Sequence, residues 1–173
     1  MVILIAGASH TGKTLLAQRL LEKLQYPYLS IDHLKMGLIR SKQTDLTPMD
    51  DDKLTGYLWP IVREMVKTAI ENAQNLIVEG CYIPADWKKD FGPEYLQHIR
   101  YCAIIMSRDY VEKNFDILQT YGNVIERRLD DSGLNKEMLI QENEQNLQLC
   151  RQHGNRYILL KDAYEIPLEA VLA

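Results

Sequence analysis

The stretch GASHTGKT, residues 7–14, decides how the rest of the chain is read. It fits the spacing G-x-x-x-x-G-K-[ST] without a mismatch. An apolar run, Val2 to Ala6, leads into it, and a helix is expected from Lys13, with Leu15, Leu16, Leu20 and Leu24 at helical spacing. Gly7 and Gly12 let the backbone wrap closely, so that successive N–H groups face inward as a cradle for phosphate oxygens. The following helix adds its positive N-terminal end. In that setting Lys13 reaches the β- and γ-phosphates of a nucleotide, and Thr14 offers its hydroxyl to Mg²⁺. Ala8, Ser9, His10 and Thr11 serve through their backbones. A plain glycine turn between strand and helix has little need of Lys and Thr at these two places.

Outward from the loop, short apolar strands alternate with helices. Tyr26–Asp32, Leu76–Gly80, Tyr101–Ser107 and Arg156–Asp162 read as further strands. Helices are expected over 33–41, 54–73, 109–119, 135–153 and 168–172, and the polar, acidic stretch 42–52 as a loop. This pattern implies right-handed βαβ units and a parallel sheet covered on both faces. No repeat or linker divides the chain, so residues 1–173 read as one α/β domain, with a short lid at about 121–135.

The bulk numbers narrow the function. The chain has 173 residues, with 20 Lys and Arg against 24 Asp and Glu, a net charge of −4. Without a basic run, nucleic acid is not the expected partner, because its affinity rests on neutralising phosphates. Three cysteines without CxxC spacing fit reduced thiols, and no segment reaches the length of a membrane span. A cytoplasmic protein is expected. The four histidines show no metal-ligand spacing.

Three features speak to the reaction. Asp32 ends the second strand, where ligands of open α/β sheets gather. It suits a base that takes the proton of an acceptor hydroxyl, and equally a helix N-cap. Glu79 ends the strand NLIVE, the usual place for a carboxylate that helps hold Mg²⁺. Arg127 and Arg128, in VIERRLDDSG, fall in the expected lid, where one of the pair suits stabilising charge on a transferring phosphoryl group. Arg108 is a weaker candidate for the same work.

GASHTGKT, SIDHLKMGLIR, IVEGCYIP and ERRLDD, in that order, resemble the small P-loop kinases of the adenylate-kinase-like superfamily. The 2-phosphoglycerate kinase-like group is the most similar, with zeta-toxin and chloramphenicol phosphotransferase kinases more distant. The resemblance implies a three-layer P-loop fold, a five-stranded sheet ordered 2-3-1-4-5, and ATP–Mg²⁺ as phosphate donor. It also implies an acceptor pocket built after strands two and three. Asp32 and Arg40 match the acidic and basic ends of the family's second-strand segment, and Glu79 and Gly80 its acid–glycine pair. His33 and Tyr82 depart from the residue types expected there.

Lys35, Arg40, Arg63 and Tyr82 are the candidate acceptor residues, and the cations suit phosphate or carboxylate. Asp50, Asp51 and Asp52 read as a solvated surface rather than a metal site. The resulting expectation is an ATP-dependent kinase acting on a small hydroxyl or phosphate acceptor, 2-phosphoglycerate-like by resemblance. A nucleotide-dependent switch and a nucleoside or nucleotide kinase are the alternatives.

Overall fold

The computed structural model describes residues 1–121 and 135–172. The strands are β1 (Val2–Gly7), β2 (Tyr28–Ser30), β3 (Leu76–Glu79), β4 (Ile99–Met106) and β5 (Tyr157–Leu160). The helices are α1 (Lys13–Leu24), α2 (Ile31–Arg40), α3 (Asp51–Glu71), α4 (Pro93–Leu96), α5 (Arg108–Tyr121), α6 (Lys136–Gln152) and α7 (Leu168–Leu172). All strand pairings are parallel and the order is β2-β3-β1-β4-β5, as the resemblance implied.

Every residue of β1 is buried, because helices cover the sheet on both faces. Val2, Leu4 and Ala6 pack with Leu58, Val62 and Val66 of α3 and with Trp87 and Phe91 of the loop after β3. Ile3 and Ile5 point the other way, onto Leu16 and Leu20 of α1 and Val111 of α5. This two-residue alternation sends neighbouring β1 side chains into separate cores. Helix α6 contributes Leu139 and Ile140 to one core and Cys150 to the other. The buried Asn143 accepts a hydrogen bond from the Met106 amide at 2.8 Å and fastens α6 to the end of β4.

Several boundaries differ from expectation. The second strand is three residues long rather than seven, and Asp32 lies in the first turn of α2 instead of at a strand end. Ser30 holds the N-cap position of α2 without a side-chain hydrogen bond, and Asp32, inside the first turn, is not the cap. Helix α3 begins at Asp51, inside the stretch read as a loop, and continues through Pro60. A 3₁₀ turn at Trp87–Asp90 and the short α4 carry too little periodicity to be read in sequence. The expected lid falls almost wholly on residues 122–134, outside the described residues, and Arg127 and Arg128 with it. Among the described residues no helix is long and apolar enough to cross a membrane.

Gly37 is exposed within α2, and a Cβ there meets nothing within 4 Å. Gly37→Ala is expected to stabilise the protein by about 0.5–1 kcal/mol, because helical glycine gives up more backbone entropy than alanine. Thermal denaturation should show a rise in Tm of roughly 1–4 °C.

Candidate active site

Because the strands are parallel, β1, β2 and β3 end at one edge of the sheet, and Ile5, Glu79 and Ser30 lie in register there. The loop that leaves β1 turns on three positive φ angles: 138° at Gly7, 60° at His10 and 80° at Gly12. It is braced from within. Thr11 Oγ1 and Lys13 Nζ both donate to the Ala8 carbonyl, at 3.0 and 2.6 Å. Both side chains are buried, although Lys13 carries a charge. Tyr164, between β5 and α7, donates its hydroxyl to the Gly12 carbonyl at 2.7 Å and lies where a Gly12 Cβ would stand. No motif marks Tyr164, and it was not foreseen.

On the α1 side, Glu79 is buried and its Oε1 accepts from the Thr14 hydroxyl at 3.4 Å. Beside it in register, the buried Ser30 Oγ has no hydrogen-bond partner among the described residues. Gly80 behind Glu79 permits a close approach, since a Cβ there would stand 2.8 Å from Ile31 Cβ. Orphaned buried hydroxyls are rare. Together with the threonine and the carboxylate, Ser30 would offer hard oxygen donors of the kind that suits Mg²⁺.

A second polar chain lies beyond the loop. Asp32 Oδ1 pairs with Lys35 Nζ at 2.6 Å, one helical turn along α2. Lys35 also donates to the Tyr82 hydroxyl at 2.9 Å, and that hydroxyl donates to Asp51 Oδ1 at 2.8 Å. Burial and the Asp51 carboxylate push the Tyr82 hydroxyl far above its ordinary pKa, so it remains a donor. Tyr82 therefore joins α2, α3 and the loop after β3. Asp51, read from sequence as solvated surface, belongs to this chain, whereas Asp50 is bonded to Thr47 through its amide and hydroxyl.

Tyr82→Phe leaves Asp32–Lys35 intact but takes one partner from Asp51. Since Asp51 is exposed, the loss is expected to be about 1 kcal/mol. Thermal denaturation should read it as a fall in Tm of roughly 2–4 °C.

Cys81 lies between Glu79 and Tyr82, exposed at its surface but within a densely walled hollow. Burial raises its thiol pKa, with Lys13 opposing and Asp32 and Glu79 adding to the rise. Glu142, on α6 one turn before Asn146 and open to solvent on one side, is also held above the usual carboxylate range, by desolvation first and then by Asp51, against the pull of Lys13. Neither residue carried a sequence signal.

Of the candidate acceptor residues, the structure brings Lys35 and Tyr82 together but not the arginines. Arg63 binds Glu64 at 2.7 Å and lies 3.6 Å from Asp90, over the 3₁₀ turn. Arg40 is the exposed last residue of α2, eight residues and hence about 12 Å of helix beyond Asp32. Arg108 is engaged with Glu112, Glu137 and Glu144 on the surface of α5 and α6.

No family model matches the sequence, and no curated protein matches it. Solved structures do. A Chloroflexus aurantiacus protein inferred to be a kinase superposes with a TM-score of 0.57 at 18% identity, over 99% of this chain and 94% of its own. A deoxyadenosine kinase from M. mycoides gives 0.52 at 13% identity, over 99% and 95%. Shikimate kinase from Bacteroides thetaiotaomicron gives 0.51 at 14% identity, over 99% and 94%. The chain has the P-loop kinase fold, of the type that these small-molecule and nucleoside kinases share.

Proposed function

We propose that this protein is an ATP-dependent kinase that transfers the γ-phosphate to the hydroxyl of a small molecule. The observation that carries this reading is the separation of two carboxylates beside one phosphate loop. Glu79 lies against Thr14 at 3.4 Å, and Asp32 lies apart from it, against Lys35 at 2.6 Å. A nucleotide-dependent switch has use for the first carboxylate but not the second.

The loop amides of residues 8–12 and the end of α1 cradle the phosphates, and Lys13 leaves the Ala8 carbonyl to reach them. Thr14, Glu79 and Ser30 would hold Mg²⁺, directly or through water. When bound, the ion neutralises charge on the β- and γ-phosphate oxygens. Asp32, positioned by Lys35, orients the acceptor hydroxyl and takes its proton. Arg127 or Arg128 closes over the transferring group from a lid at 121–135, within one functional unit. Three unpaired cysteines suit a reducing compartment, and we place the protein in the cytoplasm. A 2-phosphoglycerate-like acceptor rests on motif resemblance alone, and neither Arg40 nor Arg63 joins the Asp32–Lys35–Tyr82 chain.

The test is ADP release from Mg²⁺–ATP across a broad panel of hydroxyl compounds. One acceptor should raise turnover, and Asp32→Asn should lower that turnover at least about 10²-fold. Tight nucleotide binding with no acceptor response would sink the kinase reading and favour a switch.

A further inference from the structure

A cavity of about 180 Å³ opens beside the phosphate loop, on the α3 and α6 side of the sheet. Its wall includes Gly7, Thr55, Cys81, Ile83, Asn146 and Cys150, and among the described residues no charged one lines it. The volume equals that of about six liquid waters, enough for a molecule the size of a monosaccharide or smaller. Gly7, at the head of the phosphate loop, and Cys81, two residues after Glu79, both line it, which places the cavity beside the proposed point of transfer.

The charges around this cavity are unbalanced among the described residues. Asp51 and Glu142 each stand one helical turn before a lining residue, Thr55 on α3 and Asn146 on α6. Glu79 lies two residues before Cys81, and Asp32 and Lys35 join Asp51 through Tyr82, with Lys13 the other cation nearby. Lys35 is already bonded to Asp32 and to Tyr82. Lys13 is assigned to the nucleotide by the kinase reading, on which this inference rests. A phosphate or carboxylate on the acceptor would thus enter a hollow without a cation on its wall and with carboxylates around its rim. Burying an unpaired anion is strongly unfavourable, and the like charges add to the penalty. An alcohol meets neither obstacle. Thr55 and Asn146 supply neutral donors and acceptors for its other hydroxyls, and an amino group on it would face Asp51 or Glu142.

We propose that the acceptor is a small polyhydroxy compound without phosphate or carboxylate, uncharged or amine-bearing, seated in this cavity. Its hydroxyl oxygen bonds to the γ-phosphorus as the bond from that phosphorus to the bridging oxygen breaks. The hydroxyl proton passes to Asp32, and ADP leaves with the bonding pair.

The experiment uses the full chain and matched probes: polyols, aldoses and amino sugars, each beside its carboxylate and phosphate counterparts, for example glucose, glucosamine, gluconate and glucose 6-phosphate. ADP release should favour an uncharged or amine-bearing member by at least tenfold in kcat/KM over its anionic counterparts. For that acceptor, Asn146→Leu should raise KM about tenfold with a smaller change in kcat, the mark of a lost ground-state hydrogen bond. A change in Tm without a change in KM would assign Asn146 to the fold alone and overturn its place in the site. Preference for an anionic member would overturn the proposal while leaving the kinase standing. Inert probes of every charge, with Mg²⁺–ATP bound, would overturn both.

Discussion

Replacing Lys13 by alanine is expected to lower acceptor-dependent ADP release by about 10³-fold while leaving the protein folded. The two outcomes separate because the side chain has two engagements. In the structure its ammonium is buried and donates to the Ala8 carbonyl at 2.6 Å. That carbonyl keeps the Thr11 hydroxyl at 3.0 Å when the lysine is gone, so the loop retains an internal brace. Removing a buried charge also relieves its desolvation, so the net change in stability should stay near 1 kcal/mol, roughly 2–4 °C in Tm. Turnover has no such substitute. Charge that develops between the β- and γ-phosphates loses a preorganised cation in a water-poor site, and one such group is worth about 10²–10³ in kcat. Circular dichroism and ADP release on the same preparation check both halves. Unchanged turnover would remove the loop from the mechanism.

Gly7→Ala, at the junction of β1 and the loop, is expected to destabilise the fold strongly. At φ 138° an L-residue is strained, and the new Cβ would stand 2.4 Å from the Ile104 carbonyl oxygen. That oxygen belongs to the backbone of β4, which is paired with β1 along its length, so it cannot move aside without breaking the sheet register. Strain of this kind costs about 1–3 kcal/mol and forced overpacking a similar amount. The sum of about 2–6 kcal/mol should lower Tm by roughly 4–24 °C in thermal denaturation. Nucleotide affinity should fall with it, because the same φ aims the first turn of the cradle. A variant with wild-type Tm would show that the β1–loop junction is more yielding than its packing implies.

How much of this was legible in the sequence depended on how local each feature is. Strand β1, the glycine loop and helix α1 occupy one continuous segment, so spacing alone located them. Glu79 and Gly80 could also be read, because an apolar strand ending in an acid and a glycine is a local pattern. Asp32 was found for a partly mistaken reason. Tyr26, Tyr28, Leu29 and Ile31 around it suggested a longer strand, but Ser30 breaks the strand and opens α2, and tertiary pairing with β3 fixed only three residues. Arg40 and Arg63 were drawn toward the site by charge type. Only the fold shows that one stands at the far end of α2 and the other is held by Glu64 and Asp90.

Local spacing determined that this chain carries a strand–loop–helix phosphate cradle within a parallel α/β sheet, because hydrophobic period, glycine and charge suffice to encode it within twenty residues. The tertiary structure alone decided what faces the cradle. Tyr82 meets Asp51 across 31 positions, Lys35 meets Tyr82 across 47, and Tyr164 meets Gly12 across 152. Those contacts arise because parallel strands bring distant segments to one sheet edge, and no local period records which side chains converge there.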